Sequence, residues 1–232
     1  MRAYADLHLL PPPDDAANAQ AMADILLELR TSTIGLVLPP ERLERMPAAY
    51  SVFRSAGIDV ATRLNLKPKS KNDLLRDLRK HRNAYEIIAV QCDSSPISQV
   101  AVRDRRVDIV RFPRTMGAKL FHLRLARICR AALEIDMTEL TSRINSPATL
   151  FGLLRNIQIA VEASIPVIGS TGASKPLNLR SPRDIASILH VIGLPINSAL
   201  DSVSAVPVGI VQKNRLKLGQ SQPEDGVRIL RS

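Results

Sequence analysis

The chain has 232 residues, of which 45% are hydrophobic and 3% aromatic, and it carries a formal net charge of +10 at pH 7. This hydrophobic content suffices for one large domain with an aliphatic core and excludes a chain that is disordered throughout. The positive charge favours a polyanionic partner such as nucleic acid, whereas no apolar run approaches the roughly 18 residues of a membrane-spanning helix, so no membrane partner is predicted.

Seven short β-rich segments alternate with amphipathic stretches along the chain. Ile34–Leu38 and Ile87–Val90 are uninterrupted apolar runs, which is typical of parallel strands covered on both faces. The segments start about 20 to 33 residues apart, the spacing of repeated β-loop-α units. The predicted strands are Ala3–Leu9, Thr33–Leu38, Ile58–Leu66, Glu86–Gln91, Val107–Arg111, Ala132–Ile135 and Ile165–Ser170.

An eighth strand has weaker support, because the apolar segment Val206–Val211 contains Pro207 and Gly209. Seven β-loop-α units nevertheless come close to a (β/α)₈ barrel. We therefore predict an α/β fold, a TIM-like barrel with an imperfect or missing eighth strand. Residues 1–218 are expected to form this single domain, and residues 219–232 a flexible polar tail.

Helix boundaries are indicated by local signals. Ser146 and Ser181 each precede a proline, which places a capping hydroxyl before a first-turn proline and predicts a helix start. Gly57 and Gly193 follow apolar stretches with helical periodicity and predict helix ends.

The positive charge is concentrated in two segments. Residues 63–82 have a net charge of +6 and residues 103–130 a net charge of +7, so the rest of the chain is slightly acidic. Neither segment contains glutamate, whereas solvated helix faces usually pair Glu with Lys. Arginine predominates in the second segment, and it binds phosphate oxygens through two parallel hydrogen bonds. Because aromatic rings are scarce in both segments, we predict recognition of phosphates and shape in a folded RNA.

Asp6 and His8 lie in the first predicted strand, where period-two alternation puts both side chains on one face. The segment resembles the opening of the PHP-type metal-dependent phosphoesterases, whose first strand carries His-x-His. Here Asp6 and Leu10 stand at positions where that pattern has metal ligands. The chain has four histidines, which are few for a site with two or three metal ions. The interpretation we favour is a buried, hydrogen-bonded Asp6–His8 pair; the alternative is a metal-dependent phosphoesterase.

Two further features leave their interpretation open. Gly169, Ser170, Thr171 and Gly172 follow the seventh predicted strand, where they form either a phosphate-binding loop or an ordinary turn. The two cysteines have no metal-ligand spacing. In the absence of a predicted export signal they favour reduced thiols in a cytoplasmic protein.

Several short motifs, taken together and in order, resemble the archaeal and eukaryotic thirty-kilodalton protein component of ribonuclease P. They span roughly residues 2–215, which is nearly the whole chain. The matching pieces are Tyr4–Leu9, Thr62–Leu66, Val107–Pro113, Ala132–Ile135, Ser170 with Gly172 and Ala173, Leu179–Asp184, and Pro207 with a strand over Val208–Val211.

This resemblance implies a PHP-like barrel without metal or catalytic residues of its own, in a cytoplasmic, archaeal protein. Its partners would be the ribonuclease P RNA, a small subunit of ferredoxin-like fold, other ribonuclease P proteins and, indirectly, precursor tRNA. The RNA, with its Mg²⁺, would remove the 5′ leader of the precursor. The RNA-binding residues implied by resemblance, or predicted from charge and position, are Arg63, Arg106, Arg111, Arg114, Lys119, Arg180 and Lys213.

Three alternatives remain open from the sequence. One is the PHP-type phosphoesterase acting without RNA. The second is a metabolic barrel enzyme that binds a phosphorylated substrate at residues 169–172, and the third is an RNA-binding scaffold outside ribonuclease P.

Overall fold

The computed structural model describes residues 2–12, 14–43, 47–112, 120–143 and 147–219. Within these ranges, seven parallel strands form one sheet whose spatial order is the order of the chain. This confirms the α/β barrel class and all seven predicted strands. The strands are β1 (Tyr4–Leu9), β2 (Thr31–Val37), β3 (Asp59–Leu66), β4 (Ile87–Gln91), β5 (Ile109–Arg111), β6 (Ala132–Asp136) and β7 (Val167–Ser170).

Helices follow the strands and cover the outer face of the sheet, where the main apolar core lies. Ser181 caps its helix by accepting a hydrogen bond from the Asp184 amide. Gly57 and Gly193 lie just beyond helix ends with φ of +81° and +109°, values that glycine adopts without strain. The described helices are α1 (Ala16–Glu28), α2 (Pro40–Leu43), α3 (Ala48–Ser55), α4 (Lys71–His81), α5 (Ser95–Ala101), α6 (Leu123–Ala126), α7 (Met137–Arg143), α8 (Pro147–Glu162), α9 (Pro182–Val191), α10 (Ile196–Asp201) and α11 (Ala205–Leu218).

The predicted eighth strand over Val206–Val211, also taken as a strand in the family resemblance, is wrong: this segment belongs to helix α11. Pro207 lies in the first turn of the helix, where the proline nitrogen is not required as a hydrogen-bond donor. The apolar residues of the segment are buried or partly buried by helical packing instead of strand pairing. Val211 is 1% exposed and packs with Leu7 and Ile168 in the barrel interior.

In the part of the chain that the structure describes, the gap between β1 and β7 is closed without an eighth strand. At the amino-terminal end, the Ala5 amide donates to the Val203 carbonyl oxygen (3.0 Å) and the Gly169 amide donates to that of Ser202 (3.1 Å). At the carboxyl-terminal end, the Leu10 amide donates to the Ala173 carbonyl oxygen (2.8 Å). The Ser202–Val203 turn and a single bridge therefore satisfy the strand edges that an open barrel would expose.

Helix α11 closes the amino-terminal end of the barrel. The Asn214 side-chain amide donates to the Glu86 carbonyl oxygen (2.7 Å), and Arg215 forms a bidentate ion pair with Asp59 (2.8 and 2.9 Å). With that end covered, polar side chains can gather at the opposite end, where the strands finish.

The predicted division into a domain and a tail can be compared with the structure only in part. Residues 220–232, most of the predicted tail, lie outside the described residues. Within the described residues, no helix is both long and apolar enough to cross a membrane.

Candidate functional site

Polar side chains from β1, β3, β5 and β6 converge at the carboxyl-terminal end of the barrel. We call this set the mouth cluster. It is buried or nearly so, although charged groups in a protein interior must be paired to offset the loss of hydration. The mouth cluster consists of His8, Arg63, Asn65, Arg111, Glu134 and Asp136.

Arg63 is the centre of the mouth cluster. It is 0% exposed, and its two terminal nitrogens contact the two carboxylate oxygens of Glu134 at 2.6 Å each. The guanidinium also donates to the Leu7 carbonyl oxygen and to Asn65 (2.7 Å each). Burial alone would raise the pKa of Glu134, but its charged and hydrogen-bonding neighbours, led by Arg63 and including Arg111, together outweigh burial and hold the pKa well below its usual value. The pair is therefore ionised at neutral pH.

Arg111 joins the same network from β5. Its Nε lies 3.3 Å from Glu134 Oε2, and its Nη2 lies 3.1 Å from Asp136 Oδ2 and 3.5 Å from Glu139 Oε2. Its side chain is 19% exposed, so one edge of the guanidinium reaches the surface. Arg111 thus links the buried Arg63–Glu134 pair to the mouth of the barrel.

His8 is buried beside these charges. Its Nδ1 lies 3.0 Å from Asp136 Oδ2, and its Nε2 lies 3.0 Å from the Asn65 amide nitrogen. Burial, followed by the charge of Arg63, lowers the pKa of His8. His8 is consequently a neutral imidazole at physiological pH.

The predicted pairing of the Asp6 and His8 side chains is wrong. The Asp6 carboxylate instead accepts hydrogen bonds from the Thr171 hydroxyl, the Thr171 amide (3.2 Å) and the His8 backbone amide (3.2 Å). The register of β1 against β2 shifts between Asp6 and Leu9. Strict two-residue alternation therefore fails in this part of the strand.

Gly169 and Ser170 belong to the end of β7, and Thr171 and Gly172 follow it against the protein's own carboxylates, an arrangement that favours the ordinary strand-to-loop connection over the phosphate-binding loop. Ser170 and Thr171 are buried, and the Thr171 amide is used by Asp6. Gly172 has a φ of +62°, and a β-carbon there would lie 2.4 Å from an Asp136 carboxylate oxygen. An added phosphate would have to displace these carboxylates.

The predicted RNA-binding residues divide into different environments. Arg63 is fully buried, so the prediction that it contacts RNA directly is contradicted by its position. Arg106 forms an ion pair with Asp104 (2.7 Å) and is partly exposed. Arg180 is exposed at the carboxyl-terminal end, where it donates to the carbonyl oxygens of Leu177 and Leu179.

Lys213 is exposed on α11, at the opposite end of the barrel from Arg180. Arg114 and Lys119 lie outside the described residues. The predicted residues therefore do not form one patch. Most of the positive charge of both basic segments is nevertheless on the surface, at Lys67, Lys69, Lys71, Arg76, Arg79, Lys80, Arg103, Arg105, Arg124, Arg127 and Arg130.

Glu134 and Asp136 are the residues of the mouth cluster that sequence reasoning overlooked. The available signal was a carboxylate in the middle of an apolar run, Ala132–Ile135, since such a group is stable only when it is paired. Their partners, Arg63 and Arg111, come from other strands and could not be identified from local sequence.

The mouth cluster does not fit a metal site. Among the described residues, no group of three or more His, Cys, Asp or Glu side chains is arranged to hold a metal ion. Both oxygens of Glu134 contact Arg63, and Asp136 contacts Arg111. A guanidinium therefore takes the place that a cation would need between these carboxylates.

Asp6 gives the fold a distinctive pH dependence. Burial raises the pKa of Asp6 to about 6, although hydrogen bonds from Thr171 oppose the shift. An aspartate with a raised folded-state pKa contributes stability that is fully present below its unfolded pKa, near 4, and is lost as pH rises through 6. We expect the free energy of unfolding of the wild type, relative to Asp6→Asn, to fall by about 2 to 3 kcal/mol between pH 4 and pH 7.

Urea unfolding of the wild type and of Asp6→Asn across this pH range measures the difference between their free energies of unfolding. The other titrating groups are common to both proteins, so their contributions cancel. A difference that rises with pH, or does not change, would contradict a raised pKa at Asp6.

The fold and the mouth cluster together define a class of protein: a seven-stranded βα-barrel whose mouth holds a buried arginine–carboxylate network. Comparison with known proteins gives the family. The chain belongs to the family described as RNase P subunit p30, whose model matches residues 4–218.

Two curated relatives and one solved structure illustrate the similarity. Ribonuclease P protein component 3 of Methanosarcina mazei is 25% identical over 224 residues, covering 94% of this chain and 92% of the relative. The same component of Methanococcoides burtonii is 25% identical, covering 92% and 89%. A chain in the cryo-EM structure of archaeal ribonuclease P with mature tRNA matches the fold with a TM-score of 0.78 at 20% identity, covering 97% of this chain and 98% of that one.

Proposed function

We propose that this chain, as a protein subunit of ribonuclease P, supports a catalytic RNA and performs no hydrolysis itself. In this role it belongs to an assembly of RNA and other proteins that removes 5′ leaders from precursor tRNA. The small subunit of ferredoxin-like fold is its proposed direct protein partner. Mg²⁺ is required by the RNA, and the barrel holds no cofactor. The proposed location is the cytoplasm.

The observation that carries the non-catalytic role is the state of Glu134. A carboxylate that coordinates a catalytic metal, or transfers a proton, must have an oxygen available to its ligand or substrate. Both Glu134 oxygens are held at 2.6 Å by a guanidinium that is 0% exposed. This supports a structural use of the barrel mouth.

The surface charge supports the RNA partner. The exposed cations of the two basic segments are not balanced by glutamate. Bound near RNA phosphates, they reduce the repulsion between neighbouring strands, so the folded RNA needs less free Mg²⁺.

A reconstitution experiment tests the proposal. The chain alone is incubated with Mn²⁺ or Zn²⁺ and a phosphate ester, and in parallel it is assembled with the ribonuclease P RNA and the other protein subunits at limiting Mg²⁺. We expect stimulation of precursor tRNA cleavage in the assembly and no turnover of the ester by the chain alone. Metal-dependent turnover by the chain alone would support the phosphoesterase alternative.

Arg180→Glu provides a residue-level prediction in the same assay. Arg180 is exposed at the mouth end and is expected to contact a phosphate, so charge reversal should raise the Mg²⁺ concentration needed for half-maximal cleavage by about twofold or more. Arg54→Glu is the matched control, because Arg54 is also exposed but lies outside both basic segments. Equal responses of the two variants would argue against an RNA contact at Arg180.

A further inference from the structure

A groove runs across the amino-terminal end of the barrel, on the side opposite the mouth cluster. It consists of two cavities of about 350 and 370 Å³ that adjoin, because Pro166 and Val206 line both. We call it the amino-terminal groove. The start of β6 and α11 line its first half, and α8, the start of β7 and α10 line its second. Neither the mouth cluster nor the proposed RNA contact at Arg180 is part of it.

One half of the amino-terminal groove is basic. Four cationic side chains line it: Arg105, Arg130, Lys213 and Lys217. The acidic residue in this half, Asp108, forms an ion pair with Arg82 at 2.5 Å and so contributes little negative potential to the groove. This half therefore suits a ligand that carries carboxylates or other anions.

The other half is apolar. The exposed residues Val161 (40% exposed) and Pro195 line it, above the buried side chains of Ile165 and Leu194. The acidic residue in this half, Asp201, is paired with Arg2. Aliphatic surface of this kind gains stability when another protein covers it.

The lining distinguishes a protein ligand from RNA. The cations of the basic half alone could serve RNA phosphates, but no described residue that lines the apolar half is aromatic, so that half offers an RNA base no ring on which to stack. Cavities of this size accept anchoring side chains. The exposed apolar residues Val161 and Pro195 beside four cations are complementary to a segment that carries aliphatic side chains next to carboxylates.

We propose that the amino-terminal groove binds a segment of a partner protein that presents aliphatic side chains beside acidic residues. The inference deepens the proposed function and rests on it, since the partner would be another protein subunit of ribonuclease P. Arg105 and Arg130 of the second basic segment, and Lys213, which was predicted from sequence to contact RNA, would then face carboxylates of that segment and not RNA phosphates. The opposite end of the barrel and the surface of α4 remain available to RNA.

Binding measurements on the full chain test this proposal. Each of the other ribonuclease P protein subunits from the same source is labelled and titrated with the wild type and with Val161→Asn. We expect Val161→Asn to weaken binding of one subunit at least tenfold, because it places an amide against the aliphatic part of the ligand. Its affinity for the ribonuclease P RNA should stay within twofold of the wild type.

Two further variants make the result decisive. Leu177→Asn changes an exposed aliphatic residue outside the groove (85% exposed) and should leave subunit binding within twofold. Arg105→Gln combined with Arg130→Gln should weaken binding of the same subunit that Val161→Asn affects. The loss of affinity should be smaller at high salt, because salt screens the charges. Both arginines are exposed, so thermal unfolding should show intact folding.

The possible failures are distinguishable. If both groove variants bind every subunit as the wild type does, the groove assignment is wrong and the subunit role stands. If the double arginine variant loses RNA affinity while its subunit binding is intact, the groove is an RNA site. If the wild type binds neither the subunits nor the RNA, the proposed function fails as well.

Discussion

Replacement of Arg63 by methionine is expected to destabilise the protein by about 3 to 5 kcal/mol, because it leaves the Glu134 carboxylate buried without its principal counter-charge. Arg63 and Glu134 are each fully buried and joined by two 2.6 Å contacts. For a domain of this size, the loss corresponds to a fall in Tm of roughly 2–4 °C per kcal/mol. Thermal and urea unfolding measure it.

A double-mutant cycle separates the interaction energy of the Arg63–Glu134 pair from the contribution of each side chain alone. Arg63→Met combined with Glu134→Met should recover much of the lost stability. Two apolar side chains of similar volume leave no buried charge that lacks both water and a partner. Arg63→Lys should fall between the wild type and Arg63→Met, since an ammonium keeps the charge and loses the bidentate geometry. A double variant no more stable than Arg63→Met would show that Arg111 suffices to hold the Glu134 carboxylate.

The same variant separates structure from RNA recognition. Because Arg63 is 0% exposed, folded Arg63→Met at low temperature should bind ribonuclease P RNA within about twofold of the wild type. Loss of RNA affinity without loss of stability would mean that the barrel opens to expose Arg63 when RNA binds.

The second large effect is the salt dependence of RNA binding. If the protein contacts about 5 to 8 phosphates, its affinity for ribonuclease P RNA should fall on the order of 10³-fold between 50 and 200 mM monovalent salt, because each contact releases condensed counterions. Filter binding or fluorescence anisotropy at several salt concentrations gives the slope of log affinity against log salt.

Variants of α4 locate part of this effect. Arg79→Gln with Lys80→Gln removes two exposed cations of the first basic segment, and it should reduce the slope by roughly 0.7 to 0.9 per lost phosphate contact. Arg54→Gln with Arg155→Gln removes the same charge from exposed positions outside both segments and should leave the slope nearly unchanged. Identical slopes in the two variants would indicate that overall charge, not this surface, attracts the RNA.

The fold class was accessible from the sequence because its signals are local. Each of the seven strands is a short β-rich or apolar run, and their spacing left room for one helix in each connection. The cap of α9 at Ser181 and the glycines after α3 and α9 were also predicted correctly, because each depends on the backbone of a few neighbouring residues.

The candidate site was predicted less well. Arg63 and Arg111 were selected for a direct contact with RNA, which burial denies to Arg63; the sequence did not indicate their place in a buried ion-pair network. The partner of each was not predictable, because Glu134 is 71 residues from Arg63 in the chain. The sequence also did not predict that Asp6 pairs with Thr171 and His8 with Asp136, because this pairing depends on a register shift in β1.

The amino-acid sequence by itself therefore determined the parallel barrel, its helix boundaries and the basic character of its surface, because hydrophobic periodicity, capping and net charge act over short distances or over the whole chain. Only the tertiary structure decided that Val206–Val211 is helical and that the mouth is filled by ion pairs. Both depend on which groups meet after the barrel closes: an apolar segment takes the conformation that buries it, and a buried charge takes the partner that the opposite strands bring to it.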